Sequence, residues 1–401
     1  MYRFLTLPLV VFGLVCSTPT DAQADAAASQ NVDAAAAAAD AVEAAETQLN
    51  AREILERLPR SDQRTLRSAL EKAGDNQAEL LSAVRDATDE HLPAVAFLLA
   101  NLPDRDLQSV TAEFLLENVA LAYDAWHNAP WHGQVTEEQF FQYILPFASL
   151  NERRDDWRQD FYDQLREECW KFDNVLDATN WLNDNLNDHF QVYFHARRRP
   201  KPDQSPYESI EAGYASCTGL SILMTDACRA VGIPARIVGV PLWTEIQGNH
   251  NWVEVFADRW YNVGGTNSDA RDDDWVNDRC QNMTDPDHWH HSVYAACTRQ
   301  TATHFPLVWD LNITYVPALN VTRFYSEPVD VEIDIPDTQN GGGTGGDIAQ
   351  IFVYWAGELV ARPRPRMGDR TVTIQLAGSS TYRVVIRTTD GEVHETALTT
   401  D

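Results

Sequence analysis

The sequence predicts an α+β protein, in which an N-terminal helical region precedes a mixed core and a β-rich C-terminal region. Apolar residues recur at spacings of three and four through much of residues 51–186, as on helix faces. A cysteine-bearing helical segment is then followed by short alternating segments. From residue 329 onward, alternating segments separated by glycine-rich or Asp-Gly turns predict about five short strands.

Residues 1–24 have the pattern of a secretory signal peptide. An arginine precedes an apolar run at residues 4–15, and small residues at 22–24 offer a cleavage site. This run is too short to cross a bilayer and no later segment is long enough, so we expect no transmembrane span. The sequence therefore predicts an extracytoplasmic protein, periplasmic or secreted. Cys16 leaves a lipid anchor as the alternative, although Val15 is not the small residue that such processing prefers.

Residues 25–50 are rich in alanine and predict a linker, because they offer little apolar bulk for burial. Residues 51–119 predict a helical region with two or three short amphipathic helices followed by a longer helix at 107–126. Further helical segments are predicted at 140–147, 157–172 and 175–186.

Cys217 lies at the start of the most informative stretch. A small-residue turn precedes it, and apolar residues then recur at helical spacing until Gly232 and Pro234 stop the helix. We therefore expect Cys217 at or just before a helix N-terminus, where unpaired backbone N–H groups and the helix dipole favour negative charge. Such a position favours the nucleophilic thiolate.

His250 is the candidate base. Residues 250–256 alternate and predict a strand, residues 257–259 a tight turn, and residues 260–263 a second strand. A cysteine at a helix start and a histidine at a strand start form the arrangement that a thiolate–imidazolium pair needs.

Three motifs carry a family resemblance: Cys-Thr-Gly-Leu-Ser from Cys217, Val-Gly-Ile-Pro-Ala-Arg ending at Arg236, and Asn-His-Asn-Trp-Val-Glu-Val around His250, followed by Arg-Trp-Tyr. Together they resemble the core of the transglutaminase-like superfamily, and most closely its secreted bacterial members. The resemblance implies a papain-like fold over residues 120–325, with Cys217 as the nucleophile and His250 as the base.

The third catalytic position departs from the family pattern. Where the pattern has an acid, four residues after the tryptophan equivalent to Trp260, this chain has Gly264. Some secreted members resemble this chain in having their polar residue a few positions later, which favours Asn267. An asparagine can orient the imidazole, as in papain-like proteases. Asp269 and the absence of a third member stay open.

These features predict an exported cysteine enzyme that acts by acyl transfer on amide bonds of a protein or peptide, through a thioester on Cys217. Transfer to water gives hydrolysis and transfer to an amine gives transamidation, and the sequence does not decide between them. Because Gly264 occupies the acid position, the alternative is a catalytically degenerate domain that binds peptide or glycan, or a structural envelope module. The chemistry requires no cofactor.

Residues 326–401 predict a small β-sandwich. They contain no catalytic constellation, so we expect an accessory or binding module. The sequence indicates neither the substrate nor the oligomeric state.

Composition limits the partners. The formal net charge is −29, from 60 acidic and 31 basic residues, and nucleic-acid binding is disfavoured because it needs a basic surface. The basic, proline-rich stretch 196–206 is interpreted as a solvated loop, with an anionic partner as the alternative. The Asp-rich stretch 269–287 and the histidines up to His291 lack the spacing of an EF-hand loop or of His-x-x-x-His, so we expect no metal.

An odd number of cysteines follows the signal peptide, which leaves one thiol unpaired in an exported chain. If Cys217 is that thiol, the other four can form two disulfides in an oxidising compartment. The preferred pairs are Cys280 with Cys297 and Cys169 with Cys228, and buried free thiols are the alternative.

Overall fold

A computed structural model of the chain describes residues 53–263, 274–283, 288–336, 350–366, 369–388 and 391–401. The predicted signal peptide, the alanine-rich linker and Cys16 lie outside these residues, as do Gly264, Asn267 and Asp269. The chain divides into two compact units, residues 1–57 and 58–401. Only a short helical stretch of the first unit is described, so the fold below is that of the second. No helix in the described part of the chain is both long and apolar enough to span a bilayer.

The first half of the second unit is helical. The helix Arg60–Ala73 illustrates why, since its buried residues recur at spacings of three and four on one face. Thr111 is the N-cap of the helix Ala112–Asn128 and accepts a hydrogen bond from the Phe114 N–H, so the helix predicted at 107–126 is present but begins at Ala112. The helices before the cysteine helix are Arg60–Ala73, Gln77–Asp86, Leu92–Asn101, Asp104–Leu107, Ala112–Asn128, Glu137–Tyr143, Arg158–Cys169, Val175–Phe190 and Pro206–Ala212.

The cysteine helix, Cys217–Ala230, lies at the centre of the unit, and every residue after Cys217 in it is buried. Ile222 of this helix shares an apolar cluster with Ile237 of the neighbouring sheet, which fixes the helix against the strands. Two short helices follow it, Asp274–Gln281 and Thr322–Ser326.

A six-stranded antiparallel sheet packs against the cysteine helix. Its order is β5-β4-β3-β6-β8-β7, so β3 and β4 lie inside the sheet. Residues of β3 and β4 are almost all buried, because both faces of the two strands are covered. The strands are β3 (Ala235–Val240), β4 (His250–Phe256), β5 (Trp260–Val263), β6 (Tyr294–Ala296), β7 (Thr303–His304) and β8 (Pro317–Asn320). A two-stranded parallel sheet, β1 (Tyr193–Phe194) with β2 (Tyr214–Ala215), precedes the cysteine helix.

The C-terminal strands form two antiparallel sheets that share one apolar core. One sheet has the order β11-β10-β13-β14 and the other pairs β12 with β9. Together with the helical half and the central sheet, they make the protein an α+β structure with mixed helix and sheet content. The strands are β9 (Pro328–Asp334), β10 (Gln350–Trp355), β11 (Glu358–Ala361), β12 (Thr371–Ala377), β13 (Thr381–Arg387) and β14 (Val393–Thr399).

Two buried arginines, Arg158 and Arg229, hold the segment 143–148 against the cysteine helix. The Arg229 guanidinium donates to the backbone oxygens of Tyr143, Pro146, Ala148 and Ala235 at 3.0–3.3 Å. Arg158 donates to the carbonyls of residues 144–146 and, at 2.7 Å, to Asn118 Oδ1. These guanidiniums satisfy carbonyls that have no strand or helix partner, as buried polar groups require.

We expect Arg229→Met to lower the free energy of unfolding by about 3 kcal/mol or more, because it leaves several buried carbonyls without donors. The matched control is Arg85→Met, since Arg85 is exposed and pairs with the adjacent Asp86, which predicts a loss of about 0.5 kcal/mol or less. Urea denaturation of the full chain measures both. Equal losses in the two variants would contradict the structural role of Arg229.

Candidate active site

Cys217 is the first residue of the cysteine helix, as the sequence predicts. Ser216 occupies the N-cap position, but its hydroxyl donates to the Pro202 carbonyl at 3.0 Å instead of capping the helix. The backbone N–H groups of the first turn therefore have no partner inside the helix and receive no side-chain cap from Ser216. The Cys217 thiol lies beside donors that can stabilise a developing negative charge.

Cys217 differs from the other described cysteines in exposure. It is half-buried, whereas Cys169, Cys228, Cys280 and Cys297 are buried. Burial raises the pKa of the Cys169 and Cys297 thiols to about 12, and it also raises the pKa of Cys228 and Cys280. Of the described thiols, Cys217 is therefore the one that a solvent-borne reagent can reach.

All five described cysteines are free thiols. The bridges predicted between Cys280 and Cys297 and between Cys169 and Cys228 are not present in the structure, and the pairing stays a prediction. Cys280 and Cys297 do lie in the same apolar cluster.

His250 is the first residue of β4 and pairs with Val240 of β3. The indole rings of Trp243, Trp252 and Trp275 surround its imidazole, with centroid distances of 6.2, 6.0 and 5.0 Å. This burial, followed by the positive charge of Arg279, lowers the pKa of His250 to about 4. The pKa favours a neutral resting imidazole instead of the imidazolium that the sequence pattern predicts, because the indoles remove water from the ring.

Cys217 and His250 line one cavity of about 370 Å³. The cavity is also lined by the neighbours of both residues, Ser216, Thr218 and Asn249. No hydrogen bond joins the Cys217 sulfur to the His250 ring in the described structure. Catalytic hydrogen bonds are often long in a free enzyme and shorten when substrate binds, so the shared cavity is the informative observation.

A side-chain hydrogen bond joins the cysteine helix to β4 beside the reactive groups. Asn251 Nδ2 donates to Thr218 Oγ1 at 2.8 Å, and these residues directly follow His250 and Cys217 in the chain. The contact depends on Gly239, which is opposite Asn251 in the β3–β4 pair. A Cβ at Gly239 would lie 2.1 Å from Asn251 Oδ1 and 2.8 Å from Phe305 Cζ, so only glycine leaves room for the amide.

The predicted third member, Asn267, lies outside the described residues, and so does its alternative Asp269. Sequence reasoning missed Thr218 and Asn251 as the contact between the two elements. The sequence could have indicated this contact, because Thr218 directly follows Cys217 and Asn251 directly follows His250. It also missed Arg199 and Trp309, which line the same cavity from distant loops.

One of the comparisons with known proteins identifies the family of this region. Residues 163–264 match the model of the transglutaminase-like superfamily, so this chain contains a transglutaminase-like superfamily domain, and the resemblance is confirmed. The matched range includes the cysteine helix, β3 and β4.

A solved structure from Cytophaga hutchinsonii, described as that of a candidate cysteine protease, is similar at 21% identity and a TM-score of 0.21. The match covers 28% of this chain and 43% of that one, so the chain spans less than half of that protein. At this TM-score the similarity carries no argument. A comparison with curated proteins gave no match.

We expect Gly239→Ala to slow alkylation of Cys217 by iodoacetamide at least about tenfold, because the new methyl group displaces the Asn251 amide from Thr218 and misaligns the site. Overpacking should also lower the free energy of unfolding by about 1–3 kcal/mol. The control is Gly133→Ala, since a Cβ there meets no atom within 4 Å. Mass spectrometry under native conditions measures the rate, with Cys217→Ser as the blank. An unchanged rate in Gly239→Ala would contradict the alignment role.

The pKa of His250 predicts a specific pH dependence of stability. Its folded value of about 4 lies below the ordinary 6.5, so protonation favours the unfolded chain. The contribution of the neutral His250 imidazole to the stability of the folded chain is complete above pH 6.5 and is lost as the pH falls towards 4. A change from pH 7 to pH 5 should therefore lower the free energy of unfolding by about 2 kcal/mol through His250. Urea denaturation at both pH values should show a smaller loss for His250→Gln. Parallel losses in the two proteins would refute the assignment.

Proposed function

We propose that this protein is a transglutaminase-like cysteine enzyme that transfers the acyl group of a protein or peptide amide through a thioester on Cys217. The observation that carries the proposal is the position of Cys217, a half-exposed thiol at a helix start that lines one cavity with His250. The Thr218–Asn251 hydrogen bond supports it, because this contact fixes the helix start against the start of β4.

The proposed reaction begins with proton transfer from the Cys217 thiol to the neutral His250 imidazole. The sulfur attacks the amide carbonyl, a C–S bond forms, and the backbone N–H groups at the helix start stabilise the oxyanion. The C–N bond then breaks, and the His250 imidazolium gives its proton to the leaving amine. Attack by water yields the free acid, and attack by a second amine yields a new amide. Both routes regenerate the thiol.

Two further assignments rest on the sequence. We infer that Asn267 orients the His250 imidazole, as an asparagine does in papain-like proteases. We also infer that the protein is exported, because residues 1–24 have the composition of a signal peptide.

We further infer that the two C-terminal sheets form a small β-sandwich that serves as an accessory module. Their shared apolar core supports a packed pair of sheets. Glu358 of β11 accepts hydrogen bonds from Gln142 at 2.8 Å and Tyr143 at 3.1 Å, which supports a fixed attachment to the catalytic core.

A catalytically degenerate binding domain is the second candidate. The observation that favours it is Gly264, which occupies the position of the acid in the family pattern. Such a domain would hold peptide or glycan in the same cavity without turnover.

Alkylation kinetics and thioester trapping distinguish the two. We expect native Cys217 to react with iodoacetamide at least about tenfold faster than free cysteine, and His250→Ala to remove the acceleration. Incubation with a peptide pool should then give an acyl adduct on Cys217 by mass spectrometry, absent in Cys217→Ser. A Cys217 that reacts no faster than free cysteine and forms no adduct would favour the degenerate domain.

A further inference from the structure

We propose that Arg199 and Trp309 form a carboxylate-binding subsite in the cavity that Cys217 and His250 line. The preferred substrate is then a peptide amide with a free carboxylate close to the scissile carbonyl. This inference rests on the proposed function and names the substrate class of that same site.

The loop that carries Arg199 is held in place at both of its ends. Before it, β1 pairs with β2, and the His195 N–H donates to the Ala215 carbonyl at 2.8 Å. After it, the Ser216 hydroxyl donates to the Pro202 carbonyl at 3.0 Å. Both anchors attach to residues that immediately precede Cys217, so the loop is fixed relative to the start of the cysteine helix.

Arg199 has no ion-pair or hydrogen-bond partner among the described residues. Its Nε is buried without a hydrogen-bond partner, and none of its guanidinium atoms forms an ion pair or hydrogen bond with a described residue. No carboxylate is among the described residues that line the cavity. Although acidic residues outnumber basic ones by 60 to 31 in the chain, the lining of this cavity includes Arg199 and no acidic residue. A buried guanidinium donor without a partner is costly, and an incoming acceptor removes that cost.

Trp309 also lines this cavity and has an unpaired donor. Its indole Nε1 is buried and has no partner, although an indole N–H can only donate. The segment that carries it is anchored by the buried Phe305 and Leu307. Two unpaired donors and no carboxylate define a site for a group that only accepts hydrogen bonds. A carboxylate fits this description, and an arginine binds it through charge-assisted hydrogen bonds.

The rest of the cavity suits a peptide. Phe194 and Val308 are 53% and 37% exposed and add apolar surface to its lining. A volume of about 370 Å³ lies at the lower end of the range of ligand pockets. The cavity can therefore hold a short acidic segment beside the thiol.

This assignment changes the interpretation of the basic stretch 196–206. The sequence favours a solvated loop, and the exposed Arg197 and Arg198 agree with that reading. Arg199 is different, because it lines the cavity and its Nε is buried without a partner. The anionic partner is thus expected at one residue and not along the whole loop.

Alkylation with a charged and a neutral reagent tests the subsite without a known substrate. Iodoacetate carries the carboxylate and iodoacetamide lacks it, so the ratio of their rates at Cys217 reports nearby positive charge. We expect Arg199→Met to lower this ratio by about fivefold, and 0.5 M salt to shrink the difference between the variants. The control is Arg198→Met, which removes the same charge from an exposed position and should change the ratio less than about twofold.

Peptide pairs test the substrate class. The two peptides of each pair from the trapping pool are identical except that one has a glutamate or aspartate where the other has the corresponding amide. The wild-type protein should turn over the acidic peptide with a kcat/KM about tenfold higher. Arg199→Met should remove most of this preference, and Trp309→Phe, which keeps an aromatic ring without the N–H, should remove part of it.

An iodoacetate-to-iodoacetamide ratio that is the same in wild type and Arg199→Met overturns the subsite, and so does equal turnover of the acidic and amide peptides. Failure of the proposed function looks different, because Cys217 would then react with iodoacetamide no faster than free cysteine. The rate ratio remains readable in that case, since alkylation does not require turnover.

Discussion

The hydrogen bond from Asn251 to Thr218 is the contact on which the candidate site depends. It joins residues 33 positions apart and sets the start of a helix against the start of a strand. The reactive groups are one residue away on each side, so their separation follows from this contact. Gly239 makes it possible, because any side chain there would occupy the space of the Asn251 amide. Catalysis of the proposed kind needs such fixed geometry, since misplacement by an ångström can cost orders of magnitude in rate.

Buried hydrogen bonds and an ion pair elsewhere in the core also stabilise the elements that carry the site. Arg158 and Arg229 bind the carbonyls of residues 143–148, which lets an irregular segment pass through the interior. Arg236 pairs with Glu254 across β3 and β4 at 2.6 Å and lies 3.7 Å from the Trp260 ring centroid. Three residues of the family motifs thus serve the sheet and not the chemistry. These contacts stiffen the strand β4 that begins at His250, and a catalytic site needs such a rigid support.

The sequence predicted long or strongly alternating elements well. The cysteine helix and the strand at His250 begin at the predicted residues, and the C-terminal region forms strands as its alternating pattern predicts. The errors fall on short elements. The strands β6, β7, β8 and β11 have two to four residues, too few for a period to be recognised. The start of the helix Ala112–Asn128 was predicted too early, because its N-cap signal is the single residue Thr111, close to the apolar Leu107 and Val110.

Local sequence patterns were enough to place the two candidate catalytic residues along their elements. Periodicity and stop signals are local, so they place Cys217 at a helix start and His250 at a strand start without knowledge of neighbours. What surrounds these residues depends on how distant segments pack. Indoles from three segments lower the pKa of His250, and Arg199, whose buried Nε is unpaired, lines the cavity that Cys217 and His250 share. These properties arise from residues far apart in the chain, and burial and pairing exist only after the chain has folded.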